Sequence, residues 1–270
     1  MANPWTRVTL EDGRRYDEQK EISPYRERMM TKNMMLRDVI QKYLPKNKKL
    51  PILDLGSGTG IWSIFVAKKG YNAICTDISE GILDRAKERV RKEKLQGKII
   101  VETADICDLS KYKTNSFSFV MAIGDILSYC SDAKKALKEI KRVTKPGGIL
   151  LGDVENRYKI FDGRRAQSWK DVRRILNGGD AFWQADKNSV SIRQYTPTEL
   201  KNLLNKSGWK TLEMSPSHLM WSLFNEQFLQ EAINSKDGMK EIFKFEKEFS
   251  KDVHLLGSGF EIRYVAKNLK

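Results

Sequence analysis

The chain has 270 residues, 40% of them hydrophobic, and a formal charge of +14. That is enough apolar material for one large α/β domain with insertions, yet no run approaches the ~18 apolar residues of a membrane-crossing helix. Three widely spaced cysteines (Cys75, Cys107, Cys130), with no C-x-x-C pair, suggest neither a disulfide framework nor a zinc site.

Residues 1–48 are expected to form an N-terminal helical cap, with Pro24 suited to a helix start and mixed helical spacing from Tyr25 to Ile40. The opening residues show no basic-then-apolar leader, so a cytoplasmic, reducing location is expected. Ile52–Leu55 then reads as a buried strand, Gly56-Ser57-Gly58-Thr59-Gly60 as a glycine-rich turn, and Ile61–Ala67 as an apolar helix packing back onto a sheet. This puts a small-molecule site at the carboxyl end of a first parallel strand. The turn is neither a dinucleotide fingerprint, since the sixth position from Gly56 is Ile61, nor a phosphate loop, since no Lys-Ser/Thr pair follows Gly60. An acid, Asp54, precedes it instead.

Four further strands are expected. Ala73–Ser79 ends in an acid, Asp77, roughly 20 residues after the loop, where such folds bind ribose hydroxyls. Ile99–Ile106 ends in Asp105-Ile106, and Phe117–Asp125 ends in Gly124-Asp125. Lys145-Pro146-Gly147-Gly148 turns into a fifth strand. Thr196, Pro197 and Glu199 mark a helix start and Gly208 its end. Trp209–Met214 reads as strand six and Gly259–Lys267 as the last strand. The stretch between them, residues 215–259, has room for two helices around Phe228-Leu229 and Ile242-Phe243, which would cover the site, make a dimer face or simply elaborate the fold. Residues 155–195 mix Arg157, Tyr158, Arg164, Trp169 and Trp183 with the glycine pair Gly178-Gly179, the composition of a substrate flap.

The D-x-G-x-G-x-G pattern of Asp54 to Gly60, the strand-end acids Asp77 and Asp105, and the Lys145–Gly148 turn resemble the class I S-adenosylmethionine (SAM) dependent methyltransferases over about residues 50–156. The resemblance implies a doubly wound, mostly parallel seven-stranded α/β sheet. It divides the chain into a cap (1–48), a SAM-binding core (49–154) and a C-terminal half with insertions (155–270). It implies SAM contacts from Asp54, Gly56, Ser57, Gly58, Asp77, Ile78, Asp105, Ile106 and Ile123, with Tyr16, Tyr25 and Arg26 of the cap as candidates for the methionine carboxylate. The carboxylate of Asp54 is compatible with a sulfonium where it would repel a phosphate.

Methyl transfer from SAM is an in-line displacement, so the protein mainly positions the acceptor, and a base is needed only if the acceptor must lose a proton. The segment after strand four, Ile123 to Cys130, lacks the Asn/Asp-Pro-Pro-aromatic pattern of base-amine enzymes and the Pro-Cys of cytosine C5 enzymes, and looks like small-molecule N- and O-methyltransferases. Asp125, Ser128 and Tyr129 are expected to face the methyl group. His218, one of two histidines, is the first candidate base. No His/Cys/Asp cluster has metal-ligand spacing, so no metal is expected. The basic runs 85–94 and 134–145 alternate with acids as solvated surfaces do, leaving Arg164-Arg165 and Arg173-Arg174 as the pointed clusters. The expectation is a small-molecule acceptor, no membrane and a monomer or homodimer. A methyltransferase acting on RNA or protein and a non-catalytic SAM-binding protein stand as alternatives.

Overall fold

The computed structural model describes residues 24–162, 168–183 and 190–269. Its frame is a seven-stranded sheet in the order β3-β2-β1-β4-β5-β9-β8. The strands are β1 (Ile52–Leu55), β2 (Ala73–Asp77), β3 (Ile99–Thr103), β4 (Phe117–Ala122), β5 (Thr144–Glu155), β8 (Trp209–Ser217) and β9 (Glu261–Asn268), and a small hairpin of β6 (Ala181–Trp183) and β7 (Val190–Ile192) stands apart. β9 runs antiparallel between β5 and β8, and the other pairings are parallel. β1 and β4 are buried along their whole length, as parallel strands covered on both faces must be.

Two apolar layers flank the sheet. One is roofed by α1 (Pro24–Tyr43), α2 (Ile61–Lys68) and α3 (Glu80–Lys92), where Leu36, Ile40, Trp62 and Val90 meet Ile52, Phe119, Leu151 and Val265. The other packs α5 (Ala133–Val143) and α7 (Pro197–Lys206) on Leu53, Val120, Val154, Ile262 and Tyr264. Strand residues two apart share a face, so Leu53 and Leu55 serve the second layer while Ile52 serves the first.

Local chemistry sets the element ends. Asp132 caps α5 by accepting from the Lys134 and Lys135 N–H groups at 2.9 and 3.0 Å. Thr196 and Glu199 form the reciprocal capping box expected at α7, and Gly208 (φ +80°) takes the left-handed position after that helix. The Lys145–Gly148 turn lies within β5 rather than before it. Phe117 pairs with Thr144 and Phe119 with Ile149, so the four residues between bulge out of the ladder. β3 is shorter than expected, stopping at Thr103, and β8 continues to Ser217.

The 215–259 insertion forms α8 (Leu219–Leu223), α9 (Glu226–Asn234) and α10 (Gly238–Phe249) around a satellite core of Met220, Trp221, Leu229, Ile233, Ile242 and Phe260. Both expected helices are present. They pack on the cap helix α1, with Lys247 Nζ 3.0 Å from Asp38 Oδ2.

Gly152 marks the tightest crossing of the sheet. A Cβ there would lie 2.5 Å from the Tyr264 hydroxyl and 2.7 Å from the Ala122 carbonyl. Gly152→Ala should therefore destabilise the fold by about 2 kcal/mol, the usual cost of overpacking a core. Urea unfolding read by tryptophan fluorescence would measure the loss, and an unchanged midpoint would mean that β9 can shift to make room.

Candidate functional site

The carboxyl ends of β1, β2, β3 and β4 lie side by side, and each delivers a residue singled out by the sequence. The β1 loop is folded on three glycines with positive φ, Gly56 (+60°), Gly58 (+56°) and Gly60 (+78°), a region costly for side-chain-bearing residues. A Cβ at Gly56 would strike Ile126, whereas one at Gly58 would meet nothing within 4 Å. The space above Gly58 is thus open to a ligand. From the end of β2, Asp77 accepts from the Gly58 N–H at 3.1 Å and the Ser79 N–H at 3.0 Å. These two bonds hold its carboxylate against the loop, while burial raises its pKa. Beside it, Ile78 is exposed.

Asp105, beyond β3, is exposed and orients its own turn by accepting from the Cys107 N–H at 2.8 Å. Its neighbour Ile106 is buried in the core. Beyond β4, Ile123 is buried, and Gly124 (φ +100°) and Asp125 (φ +60°) both take left-handed conformations. Their N–H groups converge on one oxygen, Asp153 Oδ1 of β5, at 2.6 and 2.9 Å. Asp125 is almost fully buried and its Oδ1 has no hydrogen-bond partner. Burial, then the charges of Glu261 and Asp153, push its carboxyl well above the usual range, toward the protonated form. The short helix α4 (Ile126–Tyr129) follows. Its Ser128 hydroxyl accepts from the Glu155 N–H at 2.9 Å, and Tyr129 is half-buried.

Three expectations are corrected by this geometry. Asp54 does not face a ligand: it is wholly buried beneath the loop, where it accepts from Ser63 Oγ of α2 at 2.7 Å. It fastens loop to helix, and burial raises its pKa to about 7. Ile106 packs into the core, leaving Ile78 as the exposed apolar residue beside the strand-end acids. His218 is not an accessible base. It is 5% exposed, its Nε2 lies 3.5 Å from Glu261 Oε1, and burial lowers its pKa to about 4, which makes it a neutral and weak base. Burial likewise raises the Cys130 thiol to about 12, so it is no nucleophile. Of the cap candidates, Tyr16 lies outside the described residues, Tyr25 is described only as part of the α1 backbone, and Arg26 lies 3.2 Å from Glu27.

Residues 52–148 match the family model of a methyltransferase domain. The core of this chain is thus similar to methyltransferase domains. The chain is 30% identical over 149 residues to a demethylmenaquinone methyltransferase of Leptospira interrogans, covering 53% of this chain and 58% of that one. It is 33% identical over 176 residues to a malonyl-[acyl-carrier protein] O-methyltransferase of Serratia marcescens, covering 62% of this chain and 64% of that one. The alignments thus span roughly three-fifths of those relatives' lengths. Among solved structures, an S-adenosylmethionine-dependent methyltransferase of Listeria monocytogenes superposes with a TM-score of 0.61 at 18% identity, covering 86% of this chain and 97% of that one. That likeness concerns the fold, and its coverage reaches well beyond the matched residues 52–148.

Missed by sequence reading are Lys32, Asp153 and Glu261, a buried ion cluster that meets the Gly124-Asp125 turn through Asp153. Lys32 Nζ lies 3.1 Å from Asp153 Oδ2 and 2.6 Å from Glu261 Oε2.

The raised pKa of Asp54 has a measurable consequence. The folded chain holds a proton that the unfolded chain, with an ordinary carboxyl near 3.8, has already released. This contribution to stability is present below pH 4 and is lost as pH rises through about 7. Asp54→Asn keeps an acceptor for Ser63 and removes the titration. Its stability relative to wild type should therefore improve from pH 4 to pH 8 in urea melts, and an equal difference at both would exclude the raised pKa.

Proposed function

We propose that this chain binds SAM across the Gly56–Gly60 loop and transfers its methyl group to the N or O of a small molecule. The observation that carries the reading is the alignment, on one sheet edge, of an open backbone cradle at Gly58, an anchored acid at Asp77 and the Gly124-Asp125 turn held by Asp153. The residues fit this cofactor. The Asp77 carboxylate suits a ribose diol, the exposed Ile78 suits an aromatic ring face, and Asp105 suits an exocyclic amine. SAM supplies a sulfonium-activated methyl group, for which the chain need provide only position and exclusion of water.

The acceptor side follows from Asp125. A carboxyl held protonated by its surroundings donates a hydrogen bond, so it orients an acceptor heteroatom through one lone pair and leaves another for attack. The half-buried Tyr129 ring adds an apolar wall. A hydroxyl acceptor, whose oxygen carries two lone pairs, suits this arrangement, and the proton released after attack leaves to solvent or to a group outside Asp125; an amine nitrogen has a single lone pair and would have to keep it clear of the Asp125 O–H. The Serratia relative is an O-methyltransferase. The surface supports a small acceptor over a nucleic acid, because basic residues on α3 and α5 are paired with acids one turn away: Lys87 with Asp84, Lys92 with Glu88 and Arg142 with Glu139, at 2.8–2.9 Å.

Calorimetric titration with SAM and S-adenosylhomocysteine tests the reading. Wild type should bind both in the micromolar range, and Asp77→Ala should weaken binding about tenfold to hundredfold, the value of hydrogen bonds to a charged group. Gly58→Ala puts a Cβ into the open cradle at a left-handed φ of +56°, and should lose affinity together with a modest loss of stability, about 1 kcal/mol. A screen of small amines, carboxylates and phenols for release of S-adenosylhomocysteine then finds the acceptor. Absence of binding to wild type would overturn the assignment, and binding without turnover on any acceptor class would favour a non-catalytic SAM-binding role.

A further inference from the structure

One face of β5 and β9 changes character halfway along. Leu151 and Val265 are buried and apolar. Further along the same face, Asp153, Glu155, Arg263 and Glu261 are buried and charged, with Asp153 opposite Arg263 and Glu155 opposite Glu261 in the ladder. The cap helix matches this change residue for residue. Leu36 and Ile40 lie over the apolar half, and Lys32, one turn earlier, lies over the charged half.

Lys32 sits between two carboxylates that do different work. Asp153 gives Oδ2 to Lys32 and Oδ1 to the N–H groups of Gly124 and Asp125. Glu261 gives Oε2 to Lys32 and lies against His218 through Oε1. Lys32, Asp153, Glu261, Asp125 and His218 are all more than 90% buried. A buried ion cluster of this kind roughly breaks even in stability against apolar residues of the same volume. Its physical yield is orientation: Asp153 can aim at both amides only while its second oxygen is held.

We propose that Lys32 is a positioning residue for the transfer reaction: seated on Asp153 and Glu261, it locks the Gly124-Asp125 turn, so that docking of the cap helix and assembly of the acceptor side are one event. The inference rests on the methyltransferase reading for its meaning, although its geometry stands alone. The cap thereby acts on the site from beneath, through a carboxylate two bonds removed from any ligand.

Hydrogen exchange of the Gly124 and Asp125 amides reads the lock directly, because both donate to Asp153. Lys32→Met should speed their exchange about tenfold or more, the response of amides released into local opening, while Leu53, Leu55 and Ile74 in the sheet centre keep wild-type protection. Lys32→Arg should restore most of the protection. Lys32→Met could leave two carboxylates unbalanced and fail to fold. The paired variant Lys32→Gln/Glu261→Gln removes one charge of each sign and should fold with the same fast exchange at Gly124 and Asp125. Binding of S-adenosylhomocysteine, measured alongside, separates the two ideas. If wild type binds it and the paired variant keeps wild-type exchange at the turn, the lock is wrong and the methyltransferase reading survives. Faster exchange spread evenly over the whole sheet would likewise reduce Lys32 to a structural residue and overturn the proposal. If wild type fails to bind, the functional reading falls, and a localised exchange change would still establish the lock.

Discussion

Four carboxyl groups, on Asp125, Asp153, Glu155 and Glu261, are buried together at the carboxyl edge of this sheet, and their repulsion is the constraint that orders the surroundings. Carboxylates out of water must be paired or neutralised. Lys32 answers Asp153 and Glu261, Lys159 lies 3.2 Å from Glu155, and Arg263 adds a second buried cation beside Asp153. No ion pair among the described residues reaches Asp125, and it is the one driven to hold its proton. The upward shift of the Asp125 carboxyl is thus a result of the charge balance around it. Glu261, closest to a cation, is pulled the other way, well below the usual carboxyl range.

The cofactor half of the site was legible in the sequence because its physics is local. Positive-φ glycines, a capping box and strand-end acids each show themselves within a few residues, and the spacing of Gly56, Gly58 and Asp77 transfers directly to the structure. The ion cluster beneath Gly124 and Asp125 was not legible, because its contacts join distant segments: Lys32 to Asp153, Lys32 to Glu261 and Glu261 to His218. A signal did exist. The alternation Leu151, Asp153, Glu155 and Glu261, Arg263, Val265 places charges on what would otherwise be a buried face, and a strand buried on both faces that carries charges requires a partner. His218 misled for the same reason. Its type and place after β8 suggest a base, but accessibility depends on α1 and β9 packing over it.

Asp54 teaches the converse. The acid before a glycine loop belongs to the family pattern, and from sequence alone it reads as facing the cofactor. The alternation of β1 decides otherwise: Leu53 and Leu55 point into one layer, and Asp54 points beneath the turn toward Ser63. It stabilises the loop conformation from inside, and the charge that suits the ligand is left to Asp77.

The insertions also take a role that composition did not reveal. The 215–259 helices brace the cap: Glu246 of α10 accepts from the Met220 N–H at 2.8 Å, Lys247 pairs with Asp38, and at the far end of α1 both Lys42 and Tyr43 reach Glu213 of β8. The 155–195 segment is tied instead to α4. The Arg193 N–H donates to the Ser128 carbonyl at 2.9 Å, the Tyr195 hydroxyl donates to the Leu127 carbonyl at 3.3 Å, and Arg157 anchors the segment's return through Glu199 and the Gln194 carbonyl. Ser128 is therefore gripped twice, by β5 through its hydroxyl and by this segment through its carbonyl. The strip from Gly124 to Tyr129 is held by Asp153 at one end and by Glu155, Arg193 and Tyr195 at the other. If the proposed reading holds, a strip fixed at both ends leaves the choice of acceptor to the side chains of Asp125 and Tyr129 rather than to backbone adjustment.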